Sequence, residues 1–154
     1  MVQLRAMSPL DLDAVMRLAN AESAAPRWGP AMYETFLAPG GHRKQIFVAE
    51  EDGRILGFIA GQIILDVCEL DSIVVDSGAR RRGVGRALLA TLCGWARAGR
   101  VTRAQLEVRG GNSGAIGFYL SSGFVQDGQR PGYYRNPDED AVLMSMALVS
   151  SQEK

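Results

Sequence analysis

Apolar positions along the chain follow two periods, and each period predicts a different kind of element. A spacing of three to four residues predicts helices at Pro9–Glu22, Ala31–Leu37, Gly83–Ala98 and Asn112–Ser122. Alternating or continuous apolar runs predict strands at Val2–Met7, Gln45–Glu50, Arg54–Asp66, Cys68–Val75, Ala104–Arg109, Phe124–Asp127 and Ala141–Val149. The predicted order, β-α-α-β-β-β-α-β-α-β-β, indicates an α/β (α+β) fold with a mixed central sheet flanked by helices.

Short polar or glycine-containing segments mark the ends of these predicted elements. Ser8 followed by Pro9 is typical of a helix N-cap with proline at the first helical position. The segment Glu51-Asp52-Gly53 between two strand-like runs is a hairpin signal, and Gly99 is expected to end the third helix. Because there is no linker, repeat or low-complexity block, we predict one domain over residues 1–149 and a short polar tail over 150–154.

Composition excludes several classes of protein. The 154 residues include 17 Lys and Arg and 17 Asp and Glu, and this zero net charge argues against a nucleic-acid or membrane-surface partner. No apolar run approaches the roughly 18 residues that span a bilayer, and the first residues do not resemble a signal peptide, so we expect a cytoplasmic protein. Cys68 and Cys93 are expected to be buried thiols rather than a disulfide. With His42, expected in a solvated loop, they give no metal-ligand spacing.

A glycine-rich turn carries the first candidate chemistry. Residues 80–86 lie between the apolar run Ile73–Val75 and the start of a helix. Such a turn aims several backbone N–H groups and the positive end of the helix dipole at one point, which favours a phosphate ligand. A Walker loop is excluded because Val84 and Gly85 stand where Lys and Ser or Thr are required. A dinucleotide fingerprint fits poorly because Leu88 occupies its third small position.

The remaining pattern, Arg-x-x-Gly-x-Gly at Arg80, Gly83 and Gly85, resembles the pyrophosphate loop of the GNAT acetyltransferases, which bind acetyl-CoA. The order of the predicted elements is similar to theirs as well. The resemblance implies acetyl-CoA as co-substrate, with no metal. The cofactor-binding residues that it implies are Ile73, Val74, Val75, Arg80, Arg81, Arg82, Gly83, Val84, Gly85, Arg86, Asn112 and Tyr119. Individually, Arg81, Arg82 and Arg86 are equally compatible with solvated side chains.

A second group of residues lies on the strand and helix that follow. Leu106 and Val108 share one face of the strand, so Glu107 points to the other. A carboxylate on a covered face is costly unless it is paired or has a function. Asn112 is a good N-cap for the next helix. Tyr119 should face inward, either as a core tyrosine with a satisfied hydroxyl or as part of a site.

The pattern Leu-Glu-Val-Arg-x-x-Asn-x-x-Ala-Ile-x-x-Tyr-x-x-x-Gly-Phe over residues 106–124, followed by the segment 130–144, narrows the resemblance. It is similar to the bacterial ribosomal-protein alanine N-acetyltransferase branch and its N-terminal acetyltransferase relatives. This implies transfer of acetyl to the α-amino group of a protein, with a ribosomal protein as partner. It also implies Glu107 as general base, Tyr119 as donor to the CoA sulfur, and Tyr133 and Tyr134 as a wall over the peptide.

Two alternatives remain open from the sequence. Glu69 and Asp71 lie at i and i+2 on the preceding strand, so either is a rival base or binds the substrate ammonium or a basic side chain. The pair Asp71-Ser72 stands where this branch more often has an apolar residue and Asn. The alternative functions are acetylation of a small amine or a lysine, and non-catalytic binding of acyl-CoA.

Overall fold

One seven-stranded mixed sheet organises the part of the chain that the computed structural model describes, residues 1–38, 43–135 and 138–148. The helices are α1 (Leu12–Ala21), α2 (Pro30–Glu34), α3 (Val84–Ala98) and α4 (Ser113–Ser121). The strands are β1 (Gln3–Ala6), β2 (Lys44–Glu51), β3 (Arg54–Ile64), β4 (Val67–Val75), β5 (Arg103–Arg109), β6 (Val125–Tyr134) and β7 (Glu139–Ala147). The predicted order of elements is confirmed. The loop residue His42, Pro137 and the tail 150–154 lie outside the described residues.

The sheet has the order β1-β2-β3-β4-β5-β7-β6. All neighbouring strands are antiparallel except β4 and β5, which are parallel and connected through α3. Parallel pairing covers only three residues of each strand, from Val67↔Arg103 to Glu69↔Gln105. Because β4 continues to Val75 and β5 to Arg109, the two strands then diverge and leave a wedge between them.

Each face of the sheet has its own hydrophobic core. Leu70, Leu88 and Leu92 belong to the core under α3, whereas Val15 and Val74 belong to the core under α1 and α2. The register of β3 and β4 shifts between Ala60 and Gly61, which pair with Ser72 and Leu70 and so leave Asp71 as an extra residue. This β-bulge explains how Leu70 and Val74, four residues apart on one strand, reach opposite cores. Both cysteines are buried free thiols, as expected.

The N-terminal helix is anchored by charge. The carboxylate of Asp11 accepts hydrogen bonds from the Ser8 amide at 2.8 Å and from the Arg5 guanidinium at 2.7 and 2.9 Å. These donors, the Arg5 guanidinium above all, lower the pKa of Asp11 to about 2. The predicted boundary at Ser8 is therefore correct, and β1 is tied to the start of α1 by an ion pair.

Two turns can be compared directly with the predictions made from local sequence. Asp52 and Gly53 both have positive φ, 53° and 79°, as expected for the predicted hairpin. The helix α3 ends at Ala98 with Gly99 as its C-cap, as predicted, and the left-handed residue is the next one, Arg100, with φ of 64°. The Val101 amide donates to the Ala96 carbonyl at 3.0 Å, which closes the helix as a Schellman motif.

The strand β6 is longer than the sequence predicts. We expected it to end at Asp127, but it continues to Tyr134 through Gly128 and Pro131. Proline is tolerated there because β6 is an edge strand that pairs only with β7. The extension carries Tyr133 and Tyr134 back along the sheet towards β5.

Gly57 on β3 is a position where the fold tolerates no side chain. A Cβ there would lie 2.7 Å from the Val74 carbonyl oxygen and 3.3 Å from Leu88. We expect Gly57→Ala to lower the free energy of unfolding by roughly 1–3 kcal/mol because β4 must move. Gly94→Ala, on the exposed side of α3 with nothing within 4 Å, should instead raise it by about 0.5–1 kcal/mol. Urea denaturation of both variants tests this, and equal effects would contradict the packing at Gly57.

Candidate active site

A cavity of about 620 Å³ fills the wedge between β4 and β5. The turn before α3 closes one end of it, and α4 forms one wall. Of the predicted cofactor-binding residues, those that line the cavity are Ile73, Val74, Val75, Arg80, Arg81, Gly83, Val84, Gly85, Arg86, Asn112 and Tyr119. Segments that are distant in sequence therefore meet at one concave surface.

Arg82 is the exception among the predicted cofactor-binding residues. It does not line the cavity. Its guanidinium donates to both carboxylate oxygens of Glu51, each at 2.9 Å. This ion pair lowers the pKa of Glu51 and joins the turn to the end of β2. This pairing gives the Arg82 side chain a structural role, and its part in cofactor binding stays a prediction.

The turn before α3 presents backbone N–H groups to the cavity. Arg81 and Gly83 have positive φ, 65° and 77°, and Gly83 is the N-cap of α3 without a side-chain hydrogen bond to the first turn. The first amides of a helix lack partners within the helix. The amides of Val84 and Gly85 are therefore available to an anion at the positive end of the α3 dipole.

Tyr119 on α4 belongs to the core under α3 and also lines the cavity. The helix begins where predicted, because the Asn112 side chain accepts from the Ala115 amide at 3.2 Å. The ring of Tyr119 packs against Phe118 and Phe124, and Tyr119 is only 6% exposed. No hydrogen bond to its hydroxyl is present among the described residues. Burial, with a smaller contribution from Tyr134, raises the pKa of Tyr119 to about 12.

Glu107 is less buried than the sequence suggests. Its neighbours Leu106 and Val108 point into the core as predicted, but the Glu107 side chain is 36% exposed to solvent. The helices α3 and α4 cover the opposite face of β5, so the carboxylate faces open space. Its nearest cation is Arg130 on β6, at 3.8 Å, which is too long for a hydrogen bond.

A second cavity, of about 340 Å³, adjoins the first on the face of the sheet opposite α3. Both cavities are lined by Leu70, Asp71, Leu106, Glu107 and Tyr134. The four predicted substrate-binding residues, Glu69, Asp71, Tyr133 and Tyr134, all line the second cavity.

The two tyrosines are held by cations and by each other. Their ring centroids are 5.1 Å apart. The Arg130 guanidinium lies over the ring of Tyr133 at 5.3 Å, and that of Arg109 lies over Tyr134 at 4.6 Å. Cation–π contacts of this kind orient the rings as a wall of the second cavity.

Asp71 lies on the β-bulge of β4, where both cavities meet. Its carboxylate accepts a hydrogen bond from Gln62 at 2.9 Å. Burial outweighs that bond and raises the pKa of Asp71 to about 6. Glu69 is held in the same way by Gln105 at 3.2 Å.

Our reading of the sequence missed the two glutamines. Gln62 nevertheless carries a signal, because it is the single polar side chain in the apolar run Ile55–Ile64. A polar residue in such a run is buried with a partner or serves a site.

The raised pKa of Asp71 predicts a pH-dependent effect on stability. The ionised carboxyl is disfavoured in the folded state, so Asp71 destabilises the fold increasingly from pH about 4 to about 6 and by a constant amount above. We expect Asp71→Asn to raise the free energy of unfolding by roughly 1–2 kcal/mol at pH 7.5 and by little at pH 4. Thermal melts at both values test this, with Asp13→Asn, an exposed position of α1, as control. An equal gain at both pH values would contradict the burial of the charge.

No described helix is long and apolar enough to cross a membrane. The sequence matches the model of the acetyltransferase (GNAT) family over residues 12–124. It is 33% identical to the [ribosomal protein bS18]-alanine N-acetyltransferase of Escherichia coli strain K12, over 94% of this chain and 97% of that protein.

Solved structures agree with the family match. The crystal structure of the ribosomal-protein-S18-alanine N-acetyltransferase from Escherichia coli has a TM-score of 0.85 at 29% identity, over 100% of this chain and 98% of that one. A Bacillus anthracis acetyltransferase in complex with acetyl coenzyme A shares the fold, with a TM-score of 0.81 at 21% identity over 96% and 99% of the chains. The predicted GNAT fold is confirmed, and the chain belongs to the GNAT acetyltransferase family.

Proposed function

We propose that this protein transfers the acetyl group of acetyl-CoA to the α-amino group of an N-terminal alanine, with a ribosomal protein as acceptor in the cytoplasm. The observation that carries the proposal is the meeting of two cavities at Glu107. One has a phosphate-type turn at its end, and the other is walled by tyrosines. The similarity to the bS18-alanine N-acetyltransferase of Escherichia coli supports the choice of acceptor.

The first cavity has the donor groups that acetyl-CoA requires. The free amides at the start of α3 suit the pyrophosphate, and Arg81 and Arg86 on the lining add positive charge, whereas Arg80 is ion-paired with Glu22 at 3.1 Å. Beyond Glu69 the edge of β4 that faces β5 has no strand partner. The backbone of Ile73–Val75 is therefore available to the amides of the pantetheine arm, as an added strand would be.

Glu107 is proposed as the general base. An α-ammonium has no lone pair, so the amine must lose a proton before its nitrogen attacks the thioester carbon. Its pKa of about 8 makes that loss easier than for lysine, near 10.4. Glu107 would take this proton, directly or through a water molecule. A C–N bond then forms, the C–S bond breaks, and backbone N–H groups of β4 would stabilise the oxyanion.

Tyr119 is proposed as the hydrogen-bond donor to the leaving sulfur. With a pKa of about 12 the phenol keeps its proton at every working pH. Full transfer to a thiolate, whose conjugate acid has a pKa of about 8.5 in a free cysteine, would be unfavourable because that pKa lies well below the pKa of Tyr119. Stabilisation of the developing thiolate by a hydrogen bond is therefore the main contribution expected from this hydroxyl.

A panel of peptides tests the proposed function. Each peptide carries an internal lysine and begins with Ala, Ser or Met, and each is made with a free and with an acetylated N-terminus. We expect acetyl transfer to the free Ala peptide and none to its blocked form, measured by mass spectrometry. Transfer to blocked peptides would establish lysine acetylation instead. Acetyl-CoA binding without transfer to any peptide would favour a small-amine substrate or a non-catalytic role.

Substitution of the proposed base gives a further prediction. Glu107→Gln keeps the size of the side chain but cannot accept the proton, so we expect kcat to fall by about 10²–10⁴-fold. The dissociation constant for acetyl-CoA should change less than twofold, as measured by calorimetry. Asp13→Asn is the charge-matched control and should leave both quantities unchanged. If Glu107→Gln is fully active and Asp71→Asn is not, the base is Asp71.

A further inference from the structure

A row of polar side chains crosses the sheet beneath the second cavity. Gln62 on β3 is in register with Glu69 on β4, Glu69 with Gln105 on β5, and Gln105 with Ser145 on β7. Residues paired in this way point to the same face of the sheet. Lys44 on β2 is in register with Gln62, so five adjacent strands contribute one continuous row of polar side chains.

The donors of this row bind carboxylates. Gln62 donates to Asp71 at 2.9 Å, and Gln105 donates to Glu69 at 3.2 Å. Amide groups fix the direction of a carboxylate without neutralising its charge. Among the residues that the structure describes, no Lys or Arg lies within ion-pair distance of Glu69 or Asp71.

The remaining charges of the second cavity do not offset this pair. Its lining contains four carboxylates and two guanidinium groups. The Arg103 guanidinium is bound to Asp127 at 2.7 Å, and that of Arg130 lies over the ring of Tyr133. The lining of the second cavity thus carries more negative than positive charge, and this excess is complementary to a cationic group.

Asp71 and Glu69 occupy different places along the two cavities. Asp71 lines both cavities and lies with Glu107 at their junction, where the reacting amine must be. Glu69 lines the second cavity alone. An acceptor that runs from the junction into the second cavity would place the side chain of its second residue, with its Cα about 3.8 Å from that of the first, near Glu69.

We propose that Glu69 is a specificity-determining residue that binds a lysine or arginine side chain at the second position of the acceptor peptide. This inference rests on the proposed function and names a property of its substrate. Asp71, at the junction, acts on the ammonium that all acceptors share. The two carboxylates therefore make different predictions for acceptors that differ only at the second residue.

Three acceptor peptides that begin Ala-Lys, Ala-Gln and Ala-Glu and are otherwise identical test the proposal. For the unmodified enzyme we expect kcat/KM for Ala-Lys to exceed that for Ala-Gln by about tenfold, as for one partly solvated charge pair. Ala-Glu should be the poorest. In Glu69→Gln, which can keep its contact with Gln105, the ratio of kcat/KM for Ala-Lys to that for Ala-Gln should fall to about one.

Two further variants serve as controls. Asp71→Asn should lower kcat/KM for all three peptides by a similar factor and keep their ratio. Asp13→Asn removes the same charge from the exposed surface of α1 and should change neither. A ratio that Glu69→Gln leaves unaltered, or equal rates for the three peptides with the unmodified enzyme, would overturn the proposal. No transfer to any of the three would contradict the proposed function itself.

Discussion

The divergence of β4 and β5 is the constraint on which the rest of the structure depends. The two strands pair over three residues and then separate, so the facing backbone groups beyond that point have no partner in the sheet. Unpaired N–H and C=O groups in a protein interior must be hydrated or bound to something else. The wedge places them on a cavity of about 620 Å³. The same divergence frees the first turn of α3 to face that cavity rather than the sheet.

The bulge at Asp71 connects the two halves of the candidate site. An extra residue in β4 lets Leu70 pack under α3 and Val74 pack under α1 and α2. It also holds a carboxyl with a pKa of about 6 where the cavities meet. The attraction of Lys44 lowers the pKa of this carboxyl less than burial raises it, so the charge destabilises the fold near neutral pH. The ionised Asp71 carboxyl thus lowers the free energy of unfolding, and a cationic substrate bound beside it would offset that loss.

Local sequence patterns accounted for the elements, and most of the predicted cofactor-binding residues line one cavity. The period of the apolar residues predicted every helix and strand in order, and Asn112 capped its helix as expected. Long-range contacts could not be predicted in this way. The pairing of Arg82 with Glu51, the exposure of Glu107 and the extension of β6 past Pro131 depend on which strands become neighbours.

The second cavity, which is proposed to bind the acceptor, shows more clearly that long-range contacts could not be predicted from local sequence. Glu69 and Asp71 were recognisable as candidates because they alternate on one strand. Their partners Gln62 and Gln105 come from the two adjacent strands, and only the register of the sheet brings them together. The family relation supports acetyl-CoA as the proposed donor and an N-terminal alanine as the proposed acceptor. The geometry supplies a reason to look for selectivity beyond the first residue.

Binding of acetyl-CoA to a pair of matched glycine variants tests the central claim most directly. Gly85 lines the first cavity, and the atoms nearest to a Cβ there belong to Phe118 and Val75, at 3.5 to 3.8 Å, so the first carbon of Gly85→Glu meets no clash. Gly94→Glu adds the same charge to the open side of α3. Isothermal titration should show binding to the unmodified protein and to Gly94→Glu, and none to Gly85→Glu. Normal binding by a folded Gly85→Glu protein would contradict the placement of the cofactor in the wedge.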